Sequence, residues 1–425
     1  MNAMNKKPVI HKDVTCPFCS LLCDDLVIEN RDSLLKVKKN GCRKAIHHIE
    51  HAPTFTSPRI KGKNVTLDEA VDAAVKLLRK SSRPLITGMG TDINGARGAM
   101  LLAEKTGATI DHAHGEGAMC NIRVLQDNGW IMTTMAEIKN RADLVIFAGT
   151  DGITNYPRFA ERALWSDGSM FNRKNKQREI VYIGDNLDTS AAKTKPVKKP
   201  DVIQCNQQQI IEIFSTLHAM VAGNSITHET IAGVRKNTLE KLAEKMKRAS
   251  YGVIVWAPGE LKFPHAELTI QSISECIKYL NRTTRFAGFS LGGNDGGISV
   301  MNVCAWQCGY PLRVTFSRGF PEYDPHKYST RNSLRRKKVD ILVWISSLSS
   351  DIKPPVAKIP SIILSSYDPG IHFRPDVLIP VGTPGIDHGG QMIRTDSVVS
   401  LPLKQLEKDG RPAVSEILDR INDAL

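Results

Sequence analysis

The residues best able to do chemistry lie near the start of the chain. There, Cys16-Pro17-Phe18-Cys19-Ser20-Leu21-Leu22-Cys23 is followed, after 18 intervening residues, by Cys42. Thiolates are soft ligands, and three of them within eight residues can take three corners of an iron-sulfur cubane while a fourth, returned by a hairpin, closes the last. Four thiolates also satisfy a tetrahedral zinc ion, and His47, His48 and His51 stand close by in the sequence. The two-then-three spacing favours the cubane, because zinc ligands usually come as two separated pairs. A vestigial loop that holds no metal is the third reading. The histidines themselves read as a hydrophilic face beside this module.

A further thiol, Cys120, follows Gly115-Glu116-Gly117-Ala118-Met119 and precedes Val124-Leu125-Gln126-Asp127. Placed in a glycine-containing loop, its thiolate is a candidate ligand for a soft metal, although a single cysteine is more often an inert packing residue. Cys205, Cys276, Cys304 and Cys308 carry no motif and read as packing residues. Glycine loops at residues 88–90, 149–152 and 292–297 allow a ligand close to the backbone and expose amides at helix starts, which suits phosphate groups. Tight turns account for each loop equally well, but their recurrence after strands points to a pterin or nucleotide cleft with Gly149, Gly292, Gly293 and Asn294 among its lining residues. No P-loop or three-glycine dinucleotide fingerprint accompanies them.

A framework must hold these groups. Asp25-Leu26-Val27-Ile28 and Leu34-Leu35-Lys36-Val37 flank Asn30-Arg31-Asp32-Ser33, a hairpin signal. Thr66 caps a helix with Asp68 and Glu69 in its first turn and an apolar stripe at Leu67, Ala70, Val71, Ala74, Leu77 and Leu78. Downstream, short apolar strands at residues 85–87, 142–147, 180–183 and 252–256 alternate with helices. That alternation predicts an α/β fold of doubly wound parallel sheets, with ligands beyond the carboxyl ends of the strands. Further strands are expected at 339–345, 361–364 and 377–380, and a terminal helix at 415–425. Weak periodicity over 221–237 reads as a domain transition. The expected organisation is a cysteine-rich module at 1–60, a first α/β domain at 61–225, a second at 226–380 and a C-terminal segment at 381–425.

The length of 425 residues exceeds what one core organises, and 41% hydrophobic with 24% charged residues excludes disordered, fibrous and membrane classes. No run approaches the ~18 apolar residues of a membrane span, and no signal-peptide core precedes Val14. Nine cysteines, an odd number grouped only once, argue against a secreted disulfide framework, so a cytoplasmic location without a membrane partner is expected. Lysine and arginine number 57 against 44 acids, and much of the excess sits in runs at 173–178, 193–199 and 335–338. These read as solvated faces, or as attraction for an anionic ligand or acidic partner subunit. They lack interleaved aromatics, so nucleic acid is not expected as a partner.

In its ordered motifs the chain resembles, nearly end to end, the B-subunit family of formylmethanofuran dehydrogenase. The resemblance is carried by Cys16 to Asp25 with Cys42-Arg43-Lys44, Leu125-Gln126-Asp127, and Glu137-Ile138-Lys139-Asn140-Arg141-Ala142-Asp143. It continues in Leu280-Asn281 with Thr284-Arg285-Phe286, Trp306-Gln307-Cys308-Gly309-Tyr310-Pro311, and Phe320-Pro321 with Tyr323 and Pro325. The closing segment Gly385-Ile386-Asp387-His388-Gly389-Gly390 with Arg394-Thr395-Asp396 is most similar to the bacterial branch of methylotrophs, whose subunit belongs to a formyltransferase/hydrolase complex.

The resemblance implies a molybdopterin-oxidoreductase-like fold and A-, C- and D-type partner subunits. It implies a complex that takes formyl from formyl-tetrahydromethanopterin, passes it to a methanofuran-type carrier and hydrolyses it to formate. Catalysis then resides in other subunits, and this one is largely a scaffold. The implied cofactors are a 4Fe-4S cluster on Cys16, Cys19, Cys23 and Cys42, and a molybdopterin guanine dinucleotide with molybdenum or tungsten on Cys120 and Asp185 at a guanine edge. Two departures argue against redox catalysis. Cys120 is followed by Asn121-Ile122 where dehydrogenases carry His-Gly, and Gly184-Asp185-Asn186-Leu187-Asp188-Thr189 lacks the arginine of the usual Asp-Pro-Arg. An active molybdenum or tungsten formylmethanofuran dehydrogenase subunit is the alternative.

Overall fold

The computed structural model describes residues 7–51, 53, 55–165, 178–192, 199–370, 374–407 and 411–425. The chain folds as two compact units, Met1–Glu116 with Gly293–Leu425, and Gly117–Gly292.

The first unit begins with a three-stranded antiparallel sheet, Val9–Val14, Leu26–Arg31 and Leu34–Lys39. The expected hairpin forms because Asp32 and Ser33 both accept left-handed backbone, φ 49° and 63°, as a two-residue turn matched to strand twist requires. Its nine-stranded sheet runs in the order Glu322–Tyr323, Val314–Thr315, Thr109–Ile110, Pro84–Gly90, Ile341–Ser346, Ser361–Ser365, Val377–Pro380, Arg59–Ile60, Lys63–Asn64. The five strands from Thr109–Ile110 to Val377–Pro380 pair in parallel. The long ones are buried at every residue, the pattern of parallel strands covered on both faces. Helix Leu67–Lys80 has the full capping box between Thr66 and Glu69, and buries Ala70, Val71, Ala74 and Leu78 on the expected stripe. The terminal helix, Val414–Ala424, buries Val414, Ile417, Leu418 and Ile421.

The second unit is built on a five-stranded sheet in the order Asp201–Ile203, Glu179–Ile183, Leu144–Ala148, Gly252–Trp256, Phe286–Ser290, with every pairing parallel. Its core joins Ile146, Ile254, Phe286 and their neighbours to Phe214, Leu217, Leu242 and Ile273 from the flanking helices.

This division differs from the expected blocks 61–225 and 226–380. Strand Pro84–Gly90 takes its partner from far down the chain, Ile341–Ser346, while Leu144–Ala148 pairs with Gly252–Trp256. Residues 221–237 are no transition, because Val221, Ile226, Ile231 and Ala232 pack on the same core that contains Val234. Among the described residues no helix is long and apolar enough to cross a membrane. Of the basic runs, residues 173–177 and 193–198 lie outside the described residues. Arg178 is no solvated charge, for its guanidinium donates to the carbonyls of Ala142, Ile138, Lys139 and Leu164. Burial brings its pKa down to about 10.

Candidate functional site

The N-terminal cysteines lie in the first unit. After strand Val9–Val14 the chain folds back on itself: Cys16 N–H donates to Cys23 O at 2.8 Å and Leu22 N–H to Cys19 O at 3.2 Å. This gathers three buried thiols within one turn of chain. The hairpin returns Cys42 to the start of helix Arg43–Glu50, with Asn40 holding the return by donating its side-chain amide to Asp25 O. All four sulfurs share one neighbourhood. Burial pushes the Cys16 thiol well above its ordinary range, and the charges of Cys19, Cys23 and Cys42 push it the same way. None of the nine cysteines forms a disulfide.

Residues distant in sequence seat this loop. Ser20 N–H donates to Asn294 Oδ1 at 3.3 Å and Thr395 N–H to Ser20 O at 2.8 Å. Leu22 packs with Leu348, Met392 and Leu403. The candidate cofactor residue Asn294 and the closing segment through Asp396 therefore act as the seat of the cysteine loop. His48 departs from the expected hydrophilic face: it is buried, stacked on Phe18 at 4.8 Å and 3.3 Å from Tyr367 Oη, because helix Arg43–Glu50 turns it inward beside Ile49. His47 and His51 are exposed.

Three buried thiols with a half-buried fourth near them suit an iron-sulfur cube, in which each thiolate meets its own iron and cationic iron offsets the burial of the sulfur charge. Among the described residues no group of three or more His, Cys, Asp or Glu side chains is gathered closely enough to hold a single metal ion, of whatever kind.

The winding of the same unit reverses between Pro84–Gly90 and Ile341–Ser346, the place where sheets of this kind take ligands. Gly88 and Gly90 serve packing here rather than a ligand: a Cβ on Gly88 would lie 2.7 Å from Ile345 O, and one on Gly90 3.3 Å from Ser346 Cα. Ser347 closes the gap, donating through both N–H and Oγ to Gly90 O. At the neighbouring strand ends, Ser366 Oγ and Thr383 Oγ1 are buried without a hydrogen-bond partner among the described residues. Arg411 ties these ends together, donating to Ser366 O and to both carboxylate oxygens of Asp387, which itself accepts from Thr383 N–H.

Beside this edge lies a group that the sequence reading missed, although the run Asp111-His112-Ala113-His114 offered a signal. His112 is buried, with Nδ1 accepting from His114 N–H and Nε2 donating to Asp295 O. Both ring nitrogens are thus committed to the neutral form, and burial, with the nearby His114, brings the pKa down to about 4. His114 Nε2 lies 2.7 Å from Asp295 Oδ2. Asp111 accepts from Thr330 N–H and Oγ and lies 3.4 Å from Arg313 Nε.

In the second unit the winding reverses between Leu144–Ala148 and Gly252–Trp256. Gly149 follows strand Leu144–Ala148 at that reversal with φ +68°, and an added Cβ would meet Ile210 and Leu261 at about 3 Å. Asp151 follows it, capping Ile153 and Thr154 amides. Asp185 is exposed just past strand Glu179–Ile183, and it adds to burial in raising Cys205 to about 11. The Tyr182 hydroxyl is buried with no partner among the described residues, and burial, then Asp151 and Asp188, holds its proton firmly on. Gly292 is half-buried beyond Phe286–Ser290, whereas Gly293 and Asn294 belong to the first unit.

Cys120 is not in a loop. It lies within helix Gly115–Asn128, where Glu116, Ala118, Met119 and Leu125 favour helix, and it packs against the hydrophobic core. Asn121, standing where dehydrogenases carry histidine, donates to Ser290 Oγ and accepts from Trp256 Nε1.

No family model matches the chain. The B subunit of the tungsten-containing formylmethanofuran dehydrogenase 2 of Methanocaldococcus jannaschii is 27% identical over 402 residues, 91% of this chain and 92% of that protein. The B subunit of the formyltransferase/hydrolase complex Fhc of Methylorubrum extorquens is 27% identical over 386 residues, 86% of this chain and 97% of that protein. Identity alone does not separate the two branches. A chain in the crystal structure of the Methylorubrum extorquens formyltransferase/hydrolase complex (FhcABCD) with methylofuran shares the fold, with TM-score 0.75, 24% identity, and coverage of 87% of this chain and 98% of that one. By these likenesses, spread over nearly the whole length of each relative, the chain is similar to the B subunits of formylmethanofuran dehydrogenase and of the formyltransferase/hydrolase complex.

Proposed function

We propose that this chain is the B-type member of a formyltransferase/hydrolase complex in tetrahydromethanopterin-linked one-carbon metabolism, and that it serves as a redox-inactive scaffold for A-, C- and D-type subunits. The observation that carries the reading is the match to the Fhc B subunit over 97% of that protein's length, together with the shared fold. Expression with its A-, C- and D-type partners and capture through a tag on this chain should recover all four. Recovery of this chain alone contradicts the reading.

The residues do not fit a molybdenum or tungsten centre at Cys120. That side chain packs onto the core, Asn121 is held by Ser290 and Trp256, and Asp185 lacks the adjacent arginine. The molybdopterin-oxidoreductase-like body is thus kept as architecture. The N-terminal thiols do fit a 4Fe-4S cluster, which Cys16, Cys19, Cys23 and Cys42 would hold and which supplies one-electron transfer when bound. Those four thiols, with the tungsten-containing relatives, favour the second reading of an active formylmethanofuran dehydrogenase subunit. The basic excess supports attraction of an anionic methanofuran-type carrier or an acidic neighbouring subunit.

A further inference from the structure

Two kinds of cysteine lie outside the N-terminal group and Cys120. Cys205 and Cys276 sit apart in the core of the second unit. Cys304 and Cys308 meet instead, their sulfurs 3.8 Å apart on successive turns of helix Gly297–Cys308 in the first unit. Cys304 is fully buried, whereas Cys308, the last residue of the helix, is partly open to solvent. Around it the surface is accessible: Gly309 follows in left-handed backbone with no atom near a would-be Cβ, and Trp306 is 65% exposed. Packing alone does not require this pair to stand at the helix end beside solvent.

We propose that Cys304 and Cys308 form a reactive dithiol that closes to a disulfide by exchange with a low-molecular-weight disulfide. Residues four apart on a helix have Cα atoms about 6 Å apart. That lies within the roughly 4.4–6.8 Å that a disulfide spans, but Cβ atoms four apart on a helix stand about 5–6 Å from each other against the roughly 3.5–4.5 Å of a disulfide, so closure unwinds the last turn, which Cys308 ends. Cys308 is the attacking group, since it alone of the two reaches solvent and the Cys304 sulfur beside it brings its pKa down to about 7, while Cys304 goes up. The Cys308 thiolate attacks one sulfur of the small disulfide, forming a mixed disulfide and releasing the other half as a thiolate. That thiolate takes the Cys304 proton, and the Cys304 sulfur then displaces the second half. The protein loses two electrons and two protons, and one disulfide becomes two thiols. An accessible low-pKa thiol beside a resolving cysteine is the arrangement used by redox-responsive proteins.

The test uses the full-length protein, incubated with oxidised glutathione and then alkylated with iodoacetamide. No lysine or arginine lies between Arg285 and Arg313, so trypsin releases residues 286–313 as one peptide whose only cysteines are Cys304 and Cys308. Mass spectrometry should show that peptide two hydrogens lighter, with alkylation of the pair down by about an order of magnitude and restored by dithiothreitol. Cys304→Ser should instead retain a stable glutathione adduct on Cys308. Because substitution at a buried site can disturb folding, the wild type is also treated with phenylarsine oxide, which bridges paired thiols and should protect both from alkylation. Full alkylation of the wild-type peptide after both reagents overturns the proposal. So does a lasting glutathione adduct on Cys308 while Cys304 stays alkylatable.

Discussion

Replacing Arg313 with leucine should expose how strongly the edge of the larger sheet depends on one buried charge pair. Arg313 and Asp111 have side chains only 1% and 3% exposed, and the guanidinium lies 3.4 Å from the carboxylate and 2.9 Å from Glu116, besides donating to Pro325 O. Glu116 is well exposed and adds little. Asp111 also holds Thr330, whose hydroxyl contacts Thr87 in the central strand, so the pair fixes the strand end that carries His112. Arg313→Leu leaves the carboxylate buried with no countercharge and only the donors of Thr330 and the His112 backbone, a loss of about 3–5 kcal/mol. A unit of this size changes its melting point by roughly 2–4 °C per kcal/mol, so the first unit should melt roughly 6–20 °C lower at pH 7. The pH dependence has a definite sign. Burial already raises the Asp111 pKa above its unfolded value while Arg313 lowers it, and without the arginine it rises further. A carboxyl whose folded pKa is raised destabilises the fold as pH climbs above the unfolded pKa, so the variant should regain stability as pH falls from 7 towards 5. Calorimetric scans at fixed rate, with the Asp111→Asn/Arg313→Leu double variant recovering most of the loss, would support this. A drop below about 2 °C in the single variant, or no recovery on acidification, refutes the reasoning.

Other outcomes follow from the same geometry. His112 has its folded pKa lowered to about 4, so its contribution is complete above its unfolded pKa near 6.5 and is lost as pH falls through that window, by up to about 3 kcal/mol; His112→Gln should flatten the slope in thermal scans between pH 7 and 4.5. Gly296 and Gly309 both have left-handed backbone, but a Cβ on Gly296 would lie 2.1 Å from Thr91 O whereas Gly309 faces open space. Gly309→Ala should therefore cost about 1–2 kcal/mol, Gly296→Ala distinctly more, and equal melting points would count against the close approach. Cys19→Ser should abolish iron uptake during anaerobic reconstitution, read from the visible absorbance of the cluster; a wild type that takes up no iron discredits the site. If the basic excess attracts an anionic carrier or acidic subunit, binding must weaken several-fold between about 0.05 and 0.5 M salt in titration calorimetry, and salt-independent binding opposes the idea.

Local pattern made much of the fold legible. The Thr66 capping box, the hairpin turn at Asp32-Ser33 and the strand Gly252–Trp256 all follow from neighbouring residues. The domain division was not legible in that way, because the pairing of Pro84–Gly90 with Ile341–Ser346 depends on contacts more than 250 residues apart that leave no local trace. For the same reason the spacing of Cys16, Cys19, Cys23 and Cys42 announced a ligand set, but nothing announced that Asn294 and Thr395 seat it. Cys120 misled because its flanking glycines suggested a loop, whereas the helix formers around them and packing on the core prevailed. The burial of His48 was not legible, since a histidine's polarity says little about whether an aromatic neighbour such as Phe18 will cover it.

Elemental analysis of the complex, isolated anaerobically through this chain, tests the scaffold reading most directly. The expected result is molybdenum and tungsten far below one atom per chain, with no dye reduction by the formylated carrier. Molybdenum or tungsten near one per chain, accompanied by dye reduction, would contradict it and make the chain a redox catalyst.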